Sequence, residues 1–293
     1  QGDVDVVLFP ELTLTGYPPE DLLLRPSLDI RIQRALDEIQ AANLPLTLVI
    51  GYPRRRDGKL YNMAGVIQGG KLVVEYAKQC LPNYQVFDEK RYFETGDKPC
   101  VFDLKGIPTA LSVCEDIWFP EPMAQAKAAG AKLMLNLNAS PYHQGKQRER
   151  EAVVAGRARE GDMPVVYTNL VGAQDELVFD GGSVVVGAAG KTCFRAPAFD
   201  EGQFAVELGW GGQQVSVPAQ TLEDIPDNLA AVYQALVIGI RDYVNKNRFP
   251  GVVLGLSGGI DSALTLALAV DALGAERVEA VMMPFRYTSD LSK

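Results

Sequence analysis

Ile107-Pro108-Thr109-Ala110-Leu111-Ser112-Val113-Cys114-Glu115-Asp116-Ile117-Trp118 is an apolar run that ends on a thiol and two carboxylates, with Phe119-Pro120 directly after it. A short run rich in Leu, Ile and Val reads as a buried strand. Pro120 suits the first position of a helix, expected over 120–129. A thiol at the C-terminal end of a strand lies where α/β folds bind ligands. The nearby helix N-terminus is expected to lower its pKa. The competing reading is a structural Cys, since this residue is among the most often buried.

The same apolar texture recurs at 4–9, 46–50, 64–67, 72–76, 132–137, 165–169 and 183–186, and further helices are expected over 29–42 and 148–160. Several strands follow one another across turn signals, Arg56-Asp57-Gly58 and Gly69-Gly70. The pattern is α/β with a mixed sheet, not a strict βαβ alternation.

Around 200–224 the texture becomes polar and rich in Gly and Pro, as in Gly209-Trp210-Gly211-Gly212-Gln213-Gln214. Beyond it, Leu229, Val232, Leu236, Ile240 and Tyr243 mark one face of a helix. A strand over 252–256, a helix over 261–273 and a strand over 278–283 follow. That helix is apolar on nearly all sides and is expected to be buried. The organisation expected is a first domain over 1–205, a connector over 206–223, and the start of a doubly wound, parallel-sheet domain over 224–293.

A length of 293 residues suits one large domain plus part of another. A net charge of −9 argues against nucleic acid as a partner, because phosphate neutralisation needs clustered Lys and Arg. No apolar run reaches membrane-spanning length, and no basic-then-apolar leader is seen. The four Cys, at 80, 100, 114 and 193, lack metal-site spacing and read as the free thiols of a cytoplasmic protein. The chain starts almost inside a strand and stops just after one, so both ends read as cut.

A nucleophilic Cys usually takes a His as its base. The sole His, His143, sits in a polar Ser140-Pro141-Tyr142-His143-Gln144-Gly145 loop, so a catalytic Cys114 would need a carboxylate or Lys instead. Glu11 directly follows a strand and Lys78 ends another. Each alone reads more readily as a solvated strand end.

Phe9-Pro10-Glu11-Leu12, Lys78-Gln79-Cys80-Leu81-Pro82-Asn83-Tyr84, the 86–93 segment with Glu89, and Val113-Cys114-Glu115-Asp116-Ile117-Trp118 occur in that order. Together they resemble the Glu-Lys-Cys triad regions of the nitrilase, or carbon–nitrogen hydrolase, superfamily. Segments 15–22, Asn138-Ala139-Ser140-Pro141 and 175–183 are similar to its glutaminase branch. The match spans nearly all of residues 1–200 and implies an α-β-β-α sandwich. It implies Glu11 as general base, Lys78 as the cation favouring thiolate and oxyanion, Cys114 as nucleophile and Glu89 as a second, orienting carboxylate. It also implies Tyr84, Ser140 and Lys146 as the residues holding L-glutamine.

Gly255-Leu256-Ser257-Gly258-Gly259-Ile260-Asp261-Ser262 joins a strand to a helix without the Gly-Lys-Ser/Thr of a Walker loop. A Gly-rich βα turn is the plain reading; backbone N–H groups and a helix N-terminus around phosphate is the functional one. The stretch resembles the pyrophosphate loop of N-type ATP pyrophosphatases, which implies ATP on 255–262 and Mg²⁺ on Asp261. Residues 283–289 resemble the Met-Pro-Ser-Arg-Tyr-Thr-Ser segment of NAD synthetases and imply a nucleotide contact at Arg286, although Phe285 replaces the usual small residue. The paired resemblances imply the glutamine-dependent NAD synthetase family. Its substrates are L-glutamine, ATP and nicotinic acid adenine dinucleotide, and a homo-oligomer is expected. A stand-alone amidase and a catalytically silent ATP-binding scaffold are the rival readings.

Overall fold

The computed structural model of the chain describes residues 4–283, and Arg286 therefore lies outside the described residues. The first sheet contains β1 (Val6–Leu8), β2 (Thr47–Arg56), β3 (Lys59–Gln68) and β4 (Lys71–Ala77), in that order. β1 runs parallel to β2 and the remaining pairs are antiparallel. Helix α1 (Pro26–Ala41) makes the crossover between β1 and β2. Both expected turns are present. Asp57 and Gly58 take φ of 49° and 77°, the left-handed pair that suits a two-residue hairpin. β2 and β3 run well past the expected 46–50 and 64–67, because the hairpin continues through polar residues that carry no apolar signal.

The second sheet is built from β5 (Val101–Leu104), β6 (Ile107–Val113), β7 (Leu133–Asn138), β8 (Val165–Asn169), β11 (Val184–Val186) and β12 (Thr192–Arg195), in spatial order β12-β11-β8-β7-β6-β5. β6, β7 and β8 are parallel, with helices α2 (Pro120–Ala128) and α3 (Lys146–Gly161) as their crossovers. Short strands β9 (Val171–Gln174) and β10 (Leu177–Asp180) form a separate hairpin.

The layers follow from which faces are apolar. Val49, Ala64, Val66 and Tyr76 of the first sheet pack on Leu111, Val113, Leu133, Leu135 and Leu137 of the second. Ile32 and Leu36 of α1 cover the outside of the first sheet. Met123, Ala126, Val154 and Ala158 of α2 and α3 cover the outside of the second. This is the α-β-β-α sandwich.

The stretch read as a connector is itself packed. β13 (Gly209–Trp210) and β14 (Val215–Ser216) pair, and Val215 is buried with Trp210 beside it in the inter-sheet core. Helix α4 (Asn228–Lys246) begins on Asp227, whose carboxylate accepts from the N–H groups of Leu229 and Ala230, both at 2.9 Å. Its Ala231, Ala235 and Ile238 lie on Ala173 and Phe199, and Asp242 accepts from Ala173 N–H at 2.8 Å. β15 (Val252–Gly255), α5 (Ile260–Leu273) and β16 (Val278–Val281) form the expected parallel strand–helix–strand unit. The expected burial of its helix is not met. Only the Leu268, Ala269, Ala272, Leu273 stripe is covered, while Ile260 and Leu264 are exposed, because α4 and two strands supply one face of contact. Among the described residues no helix is long and apolar enough to cross a membrane.

Gly51 on β2 fixes how closely the turn that follows β1 can approach. A Cβ there would stand 2.4 Å from Leu12 N and 2.8 Å from Pro10 O, both backbone atoms. Gly51→Ala is therefore expected to lower stability by about 1–3 kcal/mol, since overpacked backbone must shift. Urea unfolding checks this, and an unchanged midpoint would contradict the close packing.

Candidate active site

Glu11, Lys78 and Glu89 meet at one edge of the sandwich. Glu11 follows β1, Lys78 follows β4, and Glu89 opens a short 3₁₀ turn, Glu89–Arg91. Lys78 Nζ donates to Glu11 Oε1 at 2.7 Å and to Glu89 Oε1 at 2.8 Å, and the lysine is fully buried. Glu11 Oε1 also accepts from Asn62 Nδ2 at 2.7 Å, and its Oε2 accepts from Ala139 N–H at 3.1 Å. The Tyr17 hydroxyl donates to Glu89 Oε1 at 2.9 Å. Burial opposes the charge of Lys78, yet Glu11 and Glu89 outweigh it and hold the ammonium well above the usual lysine range.

Cys114 leaves β6 with φ of +46°, a left-handed conformation that L side chains rarely adopt, and begins the 3₁₀ turn Cys114–Trp118. Such strain persists only where the surroundings enforce it. Asp116 is the enforcing group. Its Oδ2 accepts from Val113 N–H at 2.9 Å and from Tyr76 OH at 2.8 Å, and its Oδ1 accepts from the N–H groups of Gln79 and Cys80 at 3.0 and 2.8 Å. One buried carboxylate thus clips the cysteine turn to the segment that follows Lys78. The expected lowering of the thiol pKa is corrected here. Burial, followed by the charge of Glu11, pushes the Cys114 thiol well above the ordinary cysteine range, and Lys78 only opposes this.

The expected glutamine-binding residues surround this group. Tyr84, half-exposed, donates to Glu115 at 3.0 Å, beside Cys114. Burial raises the Glu115 pKa, with Tyr84, Lys78 and Lys146 opposing. Ser140 is buried and follows the Ala139 amide that holds Glu11. Lys146 opens α3, with Nζ 4.0 Å from the Trp118 ring centre and 3.1 Å from Glu149.

The phosphate-type loop is a separate feature. Leu256, Ser257, Gly258 and Gly259 join β15 to α5, with Gly258 at φ +78°. Ser262 Oγ donates to Gly259 O at 3.0 Å and accepts from Ser257 N–H at 3.3 Å, closing the loop on itself. Asp261 is exposed in the first turn of α5. Among the described residues no three His, Cys, Asp or Glu stand together as a metal site.

Asn62, Asp116 and Arg150 are the positions that sequence patterns did not single out. Asn62 is a lone amide between Tyr61 and Met63, and Arg150 sits in the charged run 146–151, which reads as a solvated face. Asp116 follows Cys114 by two residues, and adjacency to a strand-end thiol is the one signal that points to it.

A family model described as carbon-nitrogen hydrolase matches residues 1–217, and one described as NAD synthase matches residues 232–293. A curated relative from Xylella fastidiosa (strain 9a5c), glutamine-dependent NAD(+) synthetase, is 48% identical over 291 residues, which is 98% of this chain and 53% of the relative. The enzyme of the same name from Acinetobacter baylyi is 43% identical over 293 residues, covering 99% of this chain and 53% of the relative. The chain thus spans about half the length of the curated relatives it matches. The solved glutamine-dependent NAD+ synthetase from Acinetobacter baumannii in complex with ADP has a TM-score of 0.93 at 43% identity, over 99% of this chain and 55% of that one. A nitrilase-superfamily amidase from Nesterenkonia AN1 has a TM-score of 0.60 at 29% identity, over 67% of this chain and 74% of that one. A further structure of that amidase shows covalent addition of the acetamide moiety of fluoroacetamide at its active-site cysteine.

Glu89 supplies a pH test. Burial raises its pKa from 4.5 to about 7, with Lys78 opposing and Glu11 adding. A carboxyl raised on folding binds more protons in the native state, so its contribution to stability falls as pH rises from about 4.5 to about 7. Glu89→Gln is expected to flatten that fall, read as unfolding free energies at several pH values across the window. An unchanged slope would contradict the shift.

Proposed function

The chain belongs to the carbon–nitrogen hydrolase family, and on that premise we propose that it carries the glutamine-hydrolysing site, and the opening of the synthetase site, of a glutamine-dependent NAD(+) synthetase. The observation that carries the proposal is the fully buried Lys78 bridging Glu11 and Glu89 beside a thiol held at φ +46°. Glutamine chemistry accounts for charges that would otherwise be costly to bury.

In the proposed reaction Cys114 Sγ attacks the side-chain amide carbon of L-glutamine while Glu11 takes the thiol proton. Burial and the charge of Glu11 push the thiol pKa up, which favours proton removal in step with attack. The carbonyl oxygen gains the negative charge, and Lys78 stabilises it. Glu11 then returns the proton to the departing nitrogen, ammonia leaves, and a glutamyl thioester remains on Cys114. Water, deprotonated by Glu11, attacks the thioester; glutamate leaves and the sulfur regains its proton. Glu89 and Tyr17 keep Lys78 charged and in place. Tyr84, Ser140 and Lys146 hold the substrate, Lys146 suiting its α-carboxylate.

The ammonia would go to the second site. There ATP adenylates the carboxyl of nicotinic acid adenine dinucleotide with release of pyrophosphate, and ammonia displaces AMP to give the amide of NAD. The backbone N–H groups of 255–262 and the start of α5 suit ATP phosphates. The lone exposed Asp261 fits Mg²⁺, which commonly takes one or two carboxylates and completes its shell from phosphate and water. Mg²⁺ would supply charge neutralisation at the phosphates. Arg286 as a nucleotide contact, a division at 1–205, 206–223 and 224–293, a homo-oligomer and a cytoplasmic setting belong to the same proposal.

The test uses the full-length protein with Cys114→Ala. Glutamine-driven NAD formation is expected to vanish while ammonia-driven formation continues at a rate close to wild type. Loss of both, or survival of both, would contradict two sites linked by ammonia.

A further inference from the structure

Helix α3 carries an arginine where a core residue belongs. Gln147, Arg150, Val154, Ala158 and Gly161 form its buried stripe, and Val154 and Ala158 pack into the apolar layer against the second sheet. Arg150 is only 1% exposed. A buried ion pair is seldom more stabilising than a well-packed apolar side chain of similar size, so stability alone does not account for it.

Its hydrogen bonds show what it holds. Nη1 donates to Asp180 Oδ1 at 2.7 Å and to Gln147 Oε1 at 3.4 Å. Nη2 donates to Ser140 O at 2.8 Å and to Pro141 O at 2.9 Å, and Nε donates to Ser140 Oγ at 3.2 Å. A guanidinium has five N–H donors and no acceptor, and here all five are spent, three of them on the Ser140-Pro141 turn. The other side of the same turn faces the triad, through Ala139 N–H on Glu11 Oε2. Asn169 ties the turn from β8, its Oδ1 accepting from Ser140 N–H at 2.8 Å.

We propose that Arg150, fixed by Asp180, is a positioning residue of the glutamine site that sets both the place and the polarity of the Ser140 hydroxyl. Arg150 Nε occupies a lone pair of Ser140 Oγ and cannot receive its proton. The hydroxyl proton is therefore left for another acceptor, such as an oxygen of the substrate; the buried Tyr167 hydroxyl has no hydrogen-bond partner among the described residues. A lysine at 150 could reach one or two of these acceptors but has neither the planar fork nor five donors. Asp180→Asn keeps the guanidinium but removes the charge that orients it. The inference rests on Ser140 binding glutamine, as proposed above.

The test measures steady-state glutamine hydrolysis by the full-length protein carrying Arg150→Lys, Asp180→Asn or Ser140→Ala, and by the two doubles with Ser140→Ala, with thermal unfolding as the folding control. Arg150→Lys is expected to raise KM for glutamine about tenfold, the worth of one neutral hydrogen bond, while kcat changes far less. Asp180→Asn is expected to move KM in the same direction, and it gives the same readout should Arg150→Lys not fold. In the Ser140→Ala background neither substitution should raise KM much further, since both act through one hydroxyl. Unchanged KM in the folded single variants, or full additivity with Ser140→Ala, would overturn the inference and leave the glutaminase reading intact. A wild type that releases no ammonia from glutamine would overturn both.

Discussion

A lysine ammonium completely withdrawn from water is the constraint around which the sandwich is organised. Lys78 has no exposed surface and is held by two carboxylates, Glu11 and Glu89, at hydrogen-bond distance. Removing one partner of such a pair typically costs about 3–5 kcal/mol, because the other charge is left stranded. The segments carrying the three charges therefore come together or not at all. Glu11 comes from the end of β1, Lys78 from the end of β4, and Glu89 from the loop beyond it. Asn62 on β3, Ala139 after β7 and Tyr17 complete the shell.

The same cluster bears on the state of Cys114, the proposed nucleophile. Burial first, and the charge of Glu11 second, push the Cys114 thiol above the ordinary cysteine range, with Lys78 opposing. Glu11 is the base in the proposed chemistry, and its carboxylate is aimed by three donors: Lys78, Asn62 and the Ala139 amide. Asp116 joins the cysteine turn to the Lys78 segment, so nucleophile and cation are placed by one side chain, not by two independent loops. Arg150 does the equivalent on the far side, where it pins the turn that carries Ala139 and Ser140.

How much was legible in the sequence depended on how each residue is buried. β6 (107–113) and β8 (165–169) have the limits expected of them, because apolar residues dominate both between turn-forming neighbours. β9, β10 and β12 passed unnoticed, being four residues each and largely polar or bounded by glycine. The proposed triad is legible only as a constellation: with a single His in a polar loop, a catalytic Cys114 needs other partners, and the ordered motifs offer Glu11 and Lys78. Arg150 was illegible because a buried polar residue inside a charged run carries no periodicity to mark it, and Asn62 because a lone amide among Leu60, Tyr61 and Met63 carries no sign of what it binds. The helix after the phosphate-type loop was expected to be buried, yet most of its surface is open. Its apolar composition states what the helix can pack against, not what these residues place beside it.

The central claim is that the charge cluster makes Cys114, and no other thiol, reactive towards a glutamine-shaped electrophile. Cys80 and Cys100 are half-buried and Cys193 is buried, and among the described residues no lysine is among the charges acting on the Cys80 or Cys100 thiol. The direct measurement is peptide mapping by mass spectrometry after brief exposure to such an electrophile, with wild type and Lys78→Met compared and folding checked by circular dichroism. Modification confined to Cys114 in the wild type, and largely lost in the folded Lys78→Met protein, is the predicted result. Labelling spread over several cysteines, or undiminished without Lys78, would contradict it.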